Sequence, residues 1–432
     1  VIRRDSSAAI SFIFITILID AIGLGIVLPV TPDLIMELTG TSVSEASLYG
    51  GWMAFAYAIM QFVFGPVVGN LSDRFGRRPV LLLSLLTFGI DYALMAFAPT
   101  ITWLFVGRAI AGMAGAAHST ANAYIADVSP PEKRAQNFGL MGAAFGLGFI
   151  LGPALGGLMG YISTRAPFYA AAALALVNML YGMFVLPESL PKEARRPFHW
   201  RRANTLGTVL ELRKYPAVTL LATVMFLWTL AHQVLPTTWA FYAQAKFHWE
   251  AWEIGFSLAF AGVMMAVVQA GLTRVMVPKL GEHMAVLVGL VTGGLGYVLY
   301  ALVWQGWMVY PAMVIGMFGG LTFPSLNALM SQRIPPSSQG ELQGAIASLF
   351  SLTAIIGPVL MTQLFGYFTS TAAPIQFPSA AFLCAAVLVL LSIALFLQAE
   401  RPGREMANSD LQVDRPKSEP SDVAAITPEA KA

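Results

Sequence analysis

The sequence predicts an all-α membrane protein, twelve transmembrane helices in two six-helix bundles, and three observations carry that expectation. Of the 432 residues, 57% are hydrophobic and 11% charged, and the mean hydropathy is +0.68, more apolar surface than a soluble core can enclose. Apolar runs of about twenty residues, each long enough to cross a ~30 Å hydrocarbon layer, recur along the chain. Landmarks also repeat at a constant shift of 205 positions: Gly76 with Gly281, Pro130-Pro131 with Pro335-Pro336, Gly139 with Gly344, and Gly152-Pro153 with Gly357-Pro358.

In chain order the runs cover residues 8–30, 50–69, 79–98, 101–126, 139–160 and 167–186, then 216–240, 255–277, 285–303, 308–330, 344–367 and 377–397. The first leads into Asp33 and Glu37 with no small-residue cleavage site, so it is expected to be a retained span. The second and third flank a glycine-punctuated basic loop, and the fifth carries small residues at every fourth position. The sixth ends before a basic stretch rich in helix breakers, PESLPKEARRPFHWRR, which reads as a linker. The expected units are a first bundle over 1–187, a linker over 188–214, a second bundle over 215–398 and a disordered tail over 399–432. In that tail Pro402, Pro416, Pro420 and Pro428 stand among charges and small residues. A repeat of six spans per half implies bundles related by an axis along the membrane normal, with a substrate site between them.

The formal charge of +2 is spread over short loops without a continuous basic patch, which argues against a nucleic-acid partner. If both termini face the cytoplasm, Arg74, Arg77, Arg78, Lys133, Arg134, Arg274, Lys279, Arg333 and the linker lie there, and only Arg165 and Lys246 fall in loops on the other side. That asymmetry orients the chain in a bacterial inner membrane. Cys384 is the one cysteine, so no disulfide framework or cysteine metal site is expected. Nothing resembles a phosphate loop or a nucleophile with its base, so an enzyme is not expected, nor a cofactor or metal. Gly146-Leu147-Gly148 lies in a membrane run with no strand before it and is no dinucleotide loop.

Charges inside hydrocarbon are expensive, so Asp20, Asp91 and Arg108 are candidates for handling substrate and protons. A carboxylate in a cavity is neutral when protonated and recruits a cation or polar drug when not. A structural ion pair between Arg108 and one of the carboxylates is the competing reading. His118 and His232 fall inside runs and titrate near neutral pH, with helix-to-helix hydrogen bonding as the alternative. Gln61, Gln233, Gln269 and Asn122 offer neutral polar groups for a cavity wall, and Trp228, Trp239 and Phe323 either cradle a flat ligand or fill the core.

The loop Gly69-Asn70-Leu71-Ser72-Asp73-Arg74-Phe75-Gly76-Arg77-Arg78-Pro79 contains two glycines suited to a tight reversal. Asp73 is placed to accept from helix-start amides and Arg77 to pair with a carboxylate. In the fifth run Ala144, Gly148, Gly152, Gly156 and Gly160 share one helix face open to close backbone approach, and Gly152-Pro153 is expected to kink it.

The first motif resembles the signature of the major facilitator superfamily. The resemblance implies a conformational latch made by Asp73, Arg77, Arg78, Asp127 and Arg134 with Gly69 and Gly76. The second-half counterpart keeps Gly281 without the acidic residue. The stretch Gly148-x-x-x-Gly152-Pro153-x-x-Gly156-Gly157 is similar to the motif of facilitator antiporters. Within the superfamily, IDAIGLGIVLPV, the motif loop, Asp91-Tyr92 and FGLGFILGPALGG resemble bacterial tetracycline/proton antiporters. That resemblance implies a proton-coupled exporter of an amphiphilic drug or metabolite, with Asp20, Gln61, Asp91 and Arg108 handling substrate and proton. It departs at Met265 and Gly293, where the family's proton-coupling histidine and aspartate would stand, so His232 or His118 is expected to take over. A pH-independent uniporter and a non-transporting sensor or scaffold are the rival readings. The expected partners are a small molecule, protons and lipid, and the chain is expected to act as a monomer.

Overall fold

A computed structural model describes residues 6–115, 118–197 and 216–400; within them the chain is helical and carries no strand. The first half holds α1 (Ser6–Ile26), α2 (Thr31–Thr39), α3 (Val43–Phe75), α4 (Arg77–Phe97), α5 (Ile101–Gly115), α6 (His118–Val128), α7 (Arg134–Gly160) and α8 (Ala166–Val185). The second half holds α9 (Pro216–His232), α10 (Val234–Phe247), α11 (Ala251–Val267), α12 (Thr273–Leu280) and α13 (Glu282–Leu302). It continues with α14 (Val309–Gly316), α15 (Thr322–Gln332), α16 (Gln339–Thr369) and α17 (Ala380–Ala399).

Among the described residues nine helical segments are long and apolar enough to cross a membrane, and α1 with α2, bent by 48°, makes a tenth. The two other expected runs, 101–126 and 255–277, are helical in shorter pieces: α5 and α6, and α11 joined to α12 through a π turn at Val268–Leu272. Each expected run therefore coincides with helix where the structure is described. Most of the linker (198–215) and the tail from 401 lie outside the described residues.

Local chemistry sets the ends. Ser42 accepts from Glu45 N at 3.5 Å to start α3, and Gly40, at φ 67°, closes α2 in the left-handed conformation. The reversal between α3 and α4 falls on Gly76 alone, at φ 108°, and its counterpart Gly281 has φ 76°. Gly69 is not part of that reversal, because α3 continues to Phe75, well past the apolar run. Pro153 sits within a helix continuous from Arg134 to Gly160.

The 205-residue repeat recurs as geometry. Arg77 Nε donates to Asp127 Oδ2 at 3.4 Å, tying α4 to α6. At the equivalent positions Gln332 Nε2 donates to Glu282 at 2.8 and 3.0 Å, tying α15 to α13. The bridge is kept and its polarity reversed.

The halves are joined at the face opposite the basic loops. Ser44 Oγ donates to Gly366 O at 2.6 Å and Gln244 Nε2 to Asp33 Oδ1 at 2.7 Å. A Cβ on Gly157 would stand 2.7 Å from Ala251 O, so α7 and α11 touch backbone to backbone there. At the basic face the ion pairs stay within their own half: Asp73, Arg77 and Asp127 in the first, His283, Arg333 and Glu400 in the second.

Candidate functional site

Asp20 lies two-thirds of the way along α1 and is the one charged residue of that helix. Asp20 is half-buried and lines a cavity of about 230 Å³ whose walls include Thr16, Ser84, Asn122, Phe138 and Phe145. Its walls, all from the first half, combine four phenylalanines with the polar groups of Thr16, Asp20, Ser84 and Asn122, a mixture suited to an amphiphilic ligand. Beneath it, on α8, Asn178 is fully buried and is hydrogen-bonded both to Asp20 and to Thr16. Sequence reasoning passed over Asn178 and Thr16, since neutral polar residues in apolar runs carry no charge signal.

Asp91 on α4 takes a different place. It is fully buried and is ion-paired to Nη2 of Arg108 on α5. The ring centres of Tyr57 and Tyr92 each stand 5.9 Å from the Arg108 guanidinium, in cation–π contact. Asp20, Asp91 and Arg108 all act electrostatically on both tyrosines, so the three charges form one neighbourhood. Asp91 Oδ1 and Arg108 Nε have no hydrogen-bond partner among the described residues. The expectation that both carboxylates open onto a cavity therefore divides: Asp20 lines one, and Asp91 is sealed behind Arg108. Gln61 Nε2 donates to Gly115 O at 3.2 Å, which fastens α3 to α5 beside this group.

In the second half, the helix is broken at Gln233, between α9 and α10. His232, just before the break, is exposed at mid-span, and its Nδ1 lies 3.0 Å from Tyr297 Oη. Trp228 stacks on His232 at 6.0 Å. Tyr297 is the repeat equivalent of Tyr92, so both halves place a tyrosine hydroxyl or ring against their polar group. A Cβ on Gly293 would collide with the Trp228 ring, which occupies the room an acidic side chain there would need. Gln233 packs against Gly357, while Gln269 and Met265 are exposed around the π turn. The side chain of His118 lies outside the described set. Trp239 is core, 2% exposed, its Nε1 donating to Ser257 Oγ at 2.9 Å. Phe323 is exposed and packs edge-on against Phe350 at 5.2 Å.

At the basic face, Arg77 pairs with Asp73 at 2.5 Å and with Asp127 at 3.4 Å. The helix-start amide of Arg77 is capped by Glu188 Oε1 at 2.8 Å, not by Asp73, whose oxygen is taken by the Arg77 side chain. Arg78 donates to Met183 O at 2.6 Å. Arg134 makes no ion pair among the described residues; its Nε reaches Ser129 O at 3.4 Å and stays out of the cluster. Gly148, Gly152 and Gly156 meet the backbone of α1 and Gly157 that of α11, so one helix contacts both halves through glycine.

Residues 13–358 match the Major Facilitator Superfamily. The chain is 44% identical to the class C tetracycline resistance protein of Escherichia coli, over 85% of this chain and 92% of that one. It is 35% identical to the class B tetracycline resistance protein of the same organism, over 91% and 97%. Among solved structures, the nucleoside transporter NupG superposes with a TM-score of 0.72 at 13% identity, covering 91% of this chain and all of that one.

Proposed function

The chain belongs to the major facilitator superfamily, and from that premise we propose that it exports a tetracycline-like amphiphile across the bacterial inner membrane in exchange for protons. Asp20 on its aromatic cavity, backed by the buried Asp91–Arg108 pair, is the observation that carries this reading. When ionised, the carboxylate holds a cationic or polar group of the substrate; when protonated it is neutral and releases it. Asp91 keeps the guanidinium fixed and charged, and Arg108 offers a charge-assisted donor to a substrate oxygen. The positive-inside asymmetry puts the basic loops and both termini in the cytoplasm. With the halves joined at the opposite face, this conformation is the one that loads from the cytoplasm. Glycine contacts of α7 with α1 and α11 let that helix rock without side chains in the way.

In the second half, His232 with Tyr297 serves as the proton group that Met265 and Gly293 cannot provide. A proton entering through ~100 mV releases about 2.3 kcal/mol to drive export. The reading is tested in everted vesicles with an imposed pH gradient. Tetracycline uptake is expected to collapse with a protonophore and to be lost in Asp20→Asn with membrane insertion intact. Gradient-independent uptake, or full activity of Asp20→Asn, overturns it.

A further inference from the structure

On the face where the halves meet lies a second cavity, of about 660 Å³, lined by both halves and sharing no residue with the Asp20 cavity. Asp33 and Tyr161 contribute from the first half, and Gln244, Trp249, Glu250 and Trp252 from the second. Its walls hold two carboxylates and the exposed His248, with no lysine or arginine. The cations of that face are engaged elsewhere: Lys246 Nζ donates to Ala301 O at 3.1 Å and Ser379 Oγ at 2.8 Å, and Arg165 pairs with Glu37 at 3.0 Å. Asp33 is half-buried and makes no ion pair among the described residues; its one hydrogen bond there is from Gln244. Gln244 Oε1 is in turn buried without a partner. A half-buried carboxylate without a counter-charge, beside an unsatisfied amide oxygen, is costly unless a donor cation joins it. Trp252, 48% exposed, supplies a ring face suited to a cation or an aromatic group.

We propose that this cavity binds an aromatic organic cation arriving from the face opposite the basic loops, and that its occupancy holds the two halves together there. An ammonium group replaces the missing counter-charge on Asp33 and donates to Gln244 Oε1 after a small side-chain shift, while the aromatic part rests on Trp252. Because the walls come from both halves, rocking that opens this face separates them and dismantles the site. The ligand has affinity for one conformation only and draws the population toward it. Export, which needs the other conformation in every cycle, then slows. This second clause rests on the antiport reading; binding does not.

Naphthylacetyl spermine, an aromatic polyamine that does not cross membranes, is the probe. Tryptophan fluorescence of the purified wild-type protein is expected to report saturable binding, weakened at least about tenfold in both Asp33→Asn and Gln244→Leu. Two variants guard against misfolding of either, and because binding is read in detergent a failure of proton coupling leaves this arm intact. Added outside intact cells, the probe is expected to slow tetracycline efflux by the wild type and to spare Gln244→Leu. Absent binding, or equal affinity in all three proteins, overturns the site. Binding that leaves efflux unchanged overturns the locking.

Discussion

Replacing Asp91 by Ala, against the double change Asp91→Leu with Arg108→Met, separates what the buried ion pair does for stability from what it does for transport. In the native protein the carboxylate is fully buried and the guanidinium side chain is 15% exposed. Removing Asp91 alone strands a largely buried cation, a loss of about 3–5 kcal/mol. The double variant removes both charges and restores similar apolar volume. The native pair is imperfect, since Asp91 Oδ1 and Arg108 Nε lack hydrogen-bond partners, so its desolvation is only partly offset. The double variant is therefore expected within about 1 kcal/mol of wild type, or above it. Thermal unfolding in detergent reads the stability, and gradient-driven tetracycline uptake in everted vesicles reads the function. The single variant is expected to melt well below wild type, and the double variant to melt near it yet remain inactive. An active double variant would show that the charges are not used, and an unshifted melting temperature for Asp91→Ala would show that the pair is not dry.

Gly152→Val forces a branched side chain against Ile22 O and Gly25 Cα, where a single Cβ would already stand 2.7 and 2.9 Å away. A loss of about 1–3 kcal/mol is expected with export impaired, whereas Gly146→Val, with open space around it, stays near wild type in both thermal unfolding and vesicle transport. For the second half, His232→Gln and Tyr297→Phe are each expected to flatten the dependence of tetracycline export on pH while leaving substrate binding measurable. An unaltered pH profile in both removes His232 from the proton path.

The fold could be read from the sequence because hydrocarbon imposes a single requirement, long apolar helix, which a run of residues states outright. Asp20, Asp91 and Arg108 were legible for the same reason, as charges where none is tolerated cheaply. Their division of labour was not. Whether a carboxylate lines a cavity or is sealed behind an arginine depends on helix rotation, and the α4 and α5 positions lie 17 residues apart. Asn178 was missed because its partner Thr16 is 162 residues away. The Asp33–Gln244 bridge joins positions 211 apart and belongs to one conformation of the pair of bundles. Gly69 misled because glycine spacing alone does not say whether a helix ends or packs closely; only Gly76 has the positive φ. Glu188 was hidden in a stretch that looked like mere linker, yet it caps α4.

The reversed polarity of the repeated bridge carries a physiological corollary. Arg77–Asp127 joins opposite charges at the aqueous rim, where mobile counter-ions weaken attraction over a screening distance of about 8 Å at ordinary cellular ionic strength. Gln332–Glu282 joins a neutral amide to a carboxylate, and added electrolyte leaves it nearly untouched. Osmotic upshift in the cell should thus loosen the α4–α6 tie and spare its α13–α15 counterpart, so that the two copies of one repeated bridge respond unequally to the same salt.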